Sequence, residues 1–236
     1  MQTFLHLLHE YEFDLPDRFD GDPRTPAAYV EHFLSEWTDA GDTVLDPFAG
    51  FGTTLRVAER LGREAYGIEY DAEVASFARE QVDHHERVIH GDALDATSYD
   101  DVPPVDCCFT SPPYMVEEMD ADPLTNYTET GRDYERYLAD LRCVFDHVDG
   151  LLKKGGHVLV DVSNMKFEGA VTTLAWDVAS EVADQFRFEG EVVVTWQADN
   201  SSRDHGEGTY GYGYDHSYCL VFEQEGDAAE SSDNPR

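Results

Sequence analysis

Lysine is nearly missing from this chain: Lys153, Lys154 and Lys166 are the only three in 236 residues, and basic side chains total 16 against 50 acidic ones. The formal charge of -34 repels phosphate in dilute buffer and, taken alone, argues against nucleic-acid binding. It does not signal disorder, because 41% of the residues are hydrophobic and recur with clear periodicity. Long apolar runs are absent too. None approaches the roughly 20 residues of a membrane span, and residues 1–10 have neither a basic start nor a small-residue cleavage site. A soluble, cytoplasmic protein is expected. Cys107, Cys108, Cys143 and Cys219 lack metal-ligand spacing, and three of them fall in apolar strand or helix patterns. Buried, reduced thiols and no metal site are therefore expected.

What the sequence does hold is one organising stretch, Thr43 to Thr54. A short β-branched run breaks at Asp46 into a turn containing Gly50 and Gly52, and a helix follows. Without a Cβ, the two glycines allow positive φ and close approach of a ligand, while Thr53 or Thr54 can cap the helix. No Lys follows the turn, so this is not a P-loop. Asp46 at the strand end suits a cationic or hydroxyl-rich ligand and disfavours a phosphate.

Around this stretch the pattern alternates strand and helix, with residues 1–24 as an N-terminal arm, 25–224 as one domain and 225–236 as a disordered acidic tail. Leu5, Leu8 and Tyr11 suggest a short helix or hydrophobic arm. Thr25 and Pro26 open a helix through Trp37. Helices are expected over 54–61, 71–82, 134–152 and 171–186, and parallel strands over 43–46, 64–69, 87–90, 105–110 and 157–162. The 134–152 helix reads as ending in Lys153, Lys154, Gly155 and Gly156, where cations favour the last turn. Residues 191–196 and 217–223 form a hairpin around a polar loop, 197–216.

Two strand ends carry further chemistry. Glu69 lies about 20 residues beyond the glycine turn, where an acidic side chain accepts from ribose hydroxyls. Ser111, Pro112, Pro113 and Tyr114 follow an apolar strand directly: a hydroxyl, two carbonyls on residues without donors, and an aromatic face. Such a turn suits an amino group on a flat ring.

Together, Asp46 to Thr54 and Ser111 to Tyr114 resemble the motifs of S-adenosylmethionine-dependent methyltransferases that act on amino groups of nucleic-acid bases, cytosine N4 or adenine N6 in DNA. The resemblance implies a Rossmann-like α/β fold, a seven-stranded, mostly parallel sheet with helices on both faces and a C-terminal antiparallel hairpin, the class I methyltransferase architecture. It also implies that Asp46, Phe48, Gly50, Thr53 and Thr54 hold the methionine end of the cofactor, Glu69 the ribose and Asp92 the adenine, with Tyr70 stacked on the ring and Ala49 and Gly52 completing the cofactor-binding turn. Ser111 to Tyr114 would then receive the target base, and the serine form is associated more with cytosine N4 than with adenine N6. The order of motifs is shared with tRNA guanine-N2 methyltransferases, which leaves RNA as the alternative substrate. A non-catalytic, acidic DNA mimic is a second alternative. The Asp-rich, Lys-poor composition resembles that of proteins from extremely halophilic archaea, in which molar salt shortens the Debye length to about 3 Å and screens repulsion from DNA.

Overall fold

Strands buried on both faces read as near-continuous apolar runs, and those runs become the centre of one sheet. The computed structural model describes residues 2–20, 22–117, 119–131, 133–167, 169–197 and 216–225. Its first half contains β1 (Phe4–Leu8), α1 (Ala27–Trp37), β2 (Thr43–Asp46), α2 (Thr53–Arg60), β3 (Glu64–Glu69), α3 (Ala72–Gln81), β4 (Val88–His90) and β5 (Val105–Thr110). The second half contains α4 (Tyr134–Asp149), β6 (Leu152–Val162), β7 (Met165–Phe167), β8 (Ala170–Thr172), α5 (Leu174–Val182), β9 (Arg187–Gln197) and β10 (His216–Glu223).

Eight strands form the sheet, in the order β1-β9-β10-β6-β5-β2-β3-β4. All neighbours run parallel except β10, which is antiparallel to both β6 and β9. The chain runs outward from β2 to β4 and then returns to place β5 on the other side of β2. The carboxyl ends of β2 and β5 therefore flank the point where strand order reverses, the usual ligand crevice of an open α/β sheet. Tyr29, Val30, Phe33 and Leu34 of α1 close one face over Val44, Phe109 and Leu159. Leu141 and Phe145 of α4 and Leu174 and Val178 of α5 close the other over Leu45, Cys108, Val158 and Val160. The cysteines are unpaired, and burial pushes the Cys107, Cys108 and Cys219 thiols above their ordinary pKa, so they stay protonated.

Several sequence expectations need correction. The start of the chain is not a helix: β1 pairs in parallel with β9, from Phe4 opposite Val193 to Leu8 opposite Gln197, and makes the sheet eight-stranded where seven strands were expected. Leu5 points into the core while Phe4 and Leu8 are about half exposed, a period of two that the spacing of Leu5 and Leu8 disguises. Pairing also covers the polar edge that β9 would otherwise expose. Helix α4 ends at Asp149, and Lys153 lies in β6, where its Nζ pairs with Asp106 Oδ2 at 2.8 Å. Gly156 explains the early strand, since a Cβ there would lie 2.7 Å from the Asp106 carbonyl; only glycine lets the two backbones meet. The expected 171–186 helix starts later, at Leu174, because residues 170–172 pair with β7. The polar loop 198–215 and the tail beyond 225 lie outside the described residues.

Most arginine pairs are partly exposed, such as Arg56 with Glu12 at 3.4 Å and Arg60 with Glu31 at 3.3 Å. Exposed pairs contribute only about 0–1 kcal/mol each, too little to offset repulsion among 50 acidic groups. The fold is therefore expected to need salt. Circular dichroism melts across a KCl series should show stability rising steeply toward molar salt, and an unchanged melting temperature in dilute buffer would refute this.

Candidate active site

At the carboxyl end of β2, Asp46 is 3% exposed. Its Oδ1 accepts from the Thr110 hydroxyl at 2.7 Å and from the Phe48 amide at 3.1 Å. Burial raises its pKa to about 6, opposed by hydrogen bonds from the Thr54 and Thr110 hydroxyls and the Phe48 amide. Among the described residues no cation is one of the groups that act on it. A buried carboxylate held by neutral donors alone retains unmet affinity for positive charge.

The glycine turn continues from there, with Ala49 donating to the Ile68 carbonyl at 2.9 Å and so lying over β3. Gly50 has φ +51, and among the described residues, its chain neighbours aside, the nearest atom to a Cβ there is the Phe48 carbonyl at 4.0 Å, so these residues leave the space above it open. Gly52, at φ +86, is the residue that precedes α2, and no side chain caps that helix. The sequence expectation of a threonine cap is thus corrected: Thr53 and Thr54 are the first, buried helical residues, and Thr54 turns its hydroxyl to Asp46.

Glu69 ends β3 and reaches back to the turn, accepting from the Gly50 amide at 2.9 Å through Oε2 and from the Asp71 amide at 2.7 Å through Oε1. Burial raises its pKa, the two amides lower it, and the nearby Asp71 and Asp46 carboxylates raise it. Tyr70 follows, 41% exposed. The β4 turn is tied alongside by the Gly91 amide, which donates to the Glu69 carbonyl at 3.0 Å, and Asp92 Oδ1 accepts from the Leu94 amide at 2.8 Å. Asp46, the glycine turn, Glu69, Tyr70 and Asp92 are thereby gathered along three adjacent strand ends.

On the other side of β2, residues 111–114 leave β5. Pro112 is buried, while Ser111, Pro113 and Tyr114 are partly buried. The two proline carbonyls differ: that of Pro113 accepts from the buried Tyr137 hydroxyl at 2.8 Å, whereas among the described residues no donor is recorded on that of Pro112. The Tyr114 hydroxyl lies 3.4 Å from the Asp161 carbonyl on β6. Asp161 itself is 7% exposed. Burial raises its pKa to about 6, and the hydroxyls of Ser217, Tyr29 and Ser111 lower it. Beyond this turn Met115, Val116 and Leu124 pack into the core, and Asn126 donates to the Asp71 carboxylate at 2.9 Å.

Sequence reading missed Thr110, Tyr137 and Asp161. For Asp161 a signal existed: one acid inside the otherwise apolar Val158 to Val162. Among the described residues no cluster of His, Cys, Asp or Glu could hold a metal ion, and no helix is long and apolar enough to cross a membrane.

A family model described as DNA methylase, of the N6 and N4 methyltransferase type, matches residues 22–80 and 105–235. The chain belongs to that family of DNA methylases. Its cofactor is S-adenosylmethionine, which the site fits: an open space over Gly50, and a buried carboxylate at Asp46 without a cation. The chain is similar to the type II methyltransferase M2.DpnII of Streptococcus pneumoniae, 41% identical over 58 residues, 25% of this chain and 22% of that one. It is also similar to M.BglII of Bacillus subtilis, 35% identical over 78 residues, 32% of this chain and 20% of that one. The match spans about a fifth of these relatives' lengths. Among solved structures, TrmN from Thermus thermophilus shares the fold with a TM-score of 0.58 and 17% identity, over 86% of this chain and 50% of that one.

Proposed function

We propose that this methylase transfers a methyl group to an exocyclic amino group of a base flipped out of DNA, cytosine N4 in preference to adenine N6. The observation that carries the proposal is the pairing of two strand ends at the switch point, a carboxylate and open glycine turn on β2 beside a Ser111-Pro112 acceptor pair on β5. The type II methyltransferase relatives support DNA as the substrate.

When bound, S-adenosylmethionine supplies an electrophilic methyl group on a sulfonium. Asp46 holds its cationic methionine end, Gly50 lets it approach, Glu69 takes the ribose, and Asp92 and Tyr70 take the adenine. Phe48, Ala49, Gly52, Thr53 and Thr54 shape the turn around it. An exocyclic amine is a weak nucleophile because its lone pair is delocalised into the ring. Ser111 Oγ and the Pro112 carbonyl accept its two N–H bonds, which draws the lone pair out of conjugation and aims it. Pro113 contributes shape, since its carbonyl is held by Tyr137. Tyr114 offers the flipped base a face, offsetting unstacking that costs a few kcal/mol. No covalent intermediate is required, so no nucleophilic cysteine is needed.

Incubation with labelled cofactor in molar KCl, followed by mass spectrometry of nucleosides, tests the reading on DNA and RNA in parallel. N4-methylcytosine in DNA is expected. Label confined to RNA would transfer the assignment to an RNA base, and absence of cofactor binding would favour a DNA mimic.

The pKa near 6 of Asp46 adds a pH dependence. The carboxylate dominates above that pH and pairs with the cationic end of the cofactor, whereas below it protonation removes the charge. Affinity should be flat above about pH 7 and weaken by up to about tenfold per unit below pH 6. Calorimetry from pH 5 to 8 checks this, and Asp46→Asn should be both weak and insensitive to pH.

A further inference from the structure

β1 covers the polar edge of β9 and in doing so becomes the edge itself: among the described residues no strand pairs with its outer side. Natural edge strands are guarded against further pairing by charged side chains, proline or a bulge. β1 has none of these, since it reads Phe-Leu-His-Leu-Leu and its register with β9 is unbroken. Acids are plentiful elsewhere, 50 in 236 residues, yet residues 2–9 contain none, nor do residues 192–197 of β9 beside them. A charge of -34 holds like copies apart, and along this edge it is locally absent. After Leu8 the chain turns back over β9, where the His9 ring lies 5.0 Å from that of Trp196, on the α1 side of the sheet.

The Thr3 carbonyl accepts from the Val193 amide at 2.9 Å. The backbone groups of Thr3, Leu5 and Leu7 therefore turn toward β9, and by strand alternation those of Phe4, His6 and Leu8 turn outward. Among the bonds described, the His6 carbonyl receives only a long contact, 3.4 Å from the Gln197 side-chain amide. The side chains of the outward residues are exposed as well: Phe4 at 53%, Leu8 at 46%, and His6 between them, with its Nδ1 2.9 Å from the Thr195 hydroxyl. We propose that β1 is the docking edge for a second copy of this chain, whose own β1 pairs with it antiparallel about a two-fold axis at His6. In that register His6 faces the partner's His6, Phe4 faces the partner's Leu8, and Leu8 faces the partner's Phe4. Residues opposed in this way exchange both hydrogen bonds, so all three outward residues of each copy are satisfied together. An even shift of register sets Phe4 or Leu8 opposite a residue beyond β1, and an odd one opposes outward groups to inward ones. The pattern of apolar, His, apolar is thus complementary to itself, as a two-fold interface requires. A single short strand pair is a small contact, so association is reversible and depends on concentration.

Sedimentation velocity of the full chain in molar KCl, over a concentration series, should show the mass rise from that of one chain toward twice that value. Phe4→Glu and Leu8→Glu, with folding checked by circular dichroism, should each stay at the mass of one chain throughout. Disulfide formation under mild oxidation tests the register, with wild-type protein as the control for the native thiols. Opposed Cα atoms lie about 5.5 Å apart in such a pair, within the roughly 4.4–6.8 Å that a disulfide spans, so His6→Cys should cross-link to itself. Phe4→Cys alone should not, because the two copies of residue 4 are separated by about 13 Å along the strand. Mixed with Leu8→Cys, it should. If a Glu variant does not fold, the cysteine pattern decides. Wild-type protein that keeps the mass of one chain at every concentration overturns the proposal, as when another segment of the same chain covers the edge. So does a dimer that survives both Glu variants, or one in which Phe4→Cys cross-links to itself as readily as His6→Cys.

Discussion

Gly50→Val is expected to eliminate measurable S-adenosylmethionine binding in a protein that still folds. The residue sits at φ +51, a conformation that costs a β-branched side chain roughly 1–3 kcal/mol, so some loss of stability accompanies the change. The decisive effect is steric. Among the described residues, its chain neighbours aside, nothing comes closer than 4.0 Å to a Cβ at this position, so the valine methyls would occupy the open space proposed for the ligand and would not simply clash with the core. Asp46→Ala should remove the charged contact from the other side, and hydrogen bonds to charged groups contribute about 1.5–3 kcal/mol, or roughly 10- to 150-fold in affinity. Thr110 and Phe48 would also lose their shared acceptor. Calorimetric titration of both variants in molar KCl, with circular dichroism to establish folding, makes the comparison. Native affinity in both folded variants would place the cofactor elsewhere.

At the Ser111 to Tyr114 turn the expected pattern is opposite: binding is kept and chemistry is lost. Ser111→Ala and Tyr114→Ala should leave cofactor affinity nearly intact, because these residues lie beyond β5 and not on the glycine turn. Loss of one hydrogen bond to the reacting amine should cost on the order of 1.5–3 kcal/mol in the transition state, roughly 10- to 200-fold in rate, and loss of the stacking face about 1–3 kcal/mol. Tyr114 also packs against the α4 side of the core, so its alanine variant should be less stable. Tyr114→Phe separates the two effects, since it keeps the ring and removes the hydroxyl, which lies 3.4 Å from the Asp161 carbonyl. It should be close to wild type in rate. Single-turnover assays on cofactor-saturated protein read the difference, and undiminished transfer by Ser111→Ala and Tyr114→Ala would remove this turn from the mechanism.

The charge of -34 bears on both experiments. At low ionic strength it would weaken binding to DNA whatever the site can do, so variants must be compared at one high salt concentration.

Sequence by itself determined the strands β2, β3 and β5 to the residue, the glycine turn, and the two strand ends that carry Glu69 and Ser111. These are legible because local chemistry dictates them: a buried parallel strand needs an unbroken apolar run, and a turn after it needs glycine or proline. Tertiary structure alone decided what depends on partners distant in the chain. Strand β1 forms because β9, nearly 190 residues away, offers it an edge, and its own five residues do not specify that. Lys153 belongs to a strand because Asp106 and the close backbone approach at Gly156 claim it from the helix end. The division of labour between Pro112 and Pro113 is set by Tyr137, 24 residues on. Asp161 is a single acid in an apolar strand until folding surrounds it with Tyr29, Ser217 and Ser111. Desolvation is a property of the assembled core and not of the residue, which is why a group of this kind is visible in the sequence only as an anomaly.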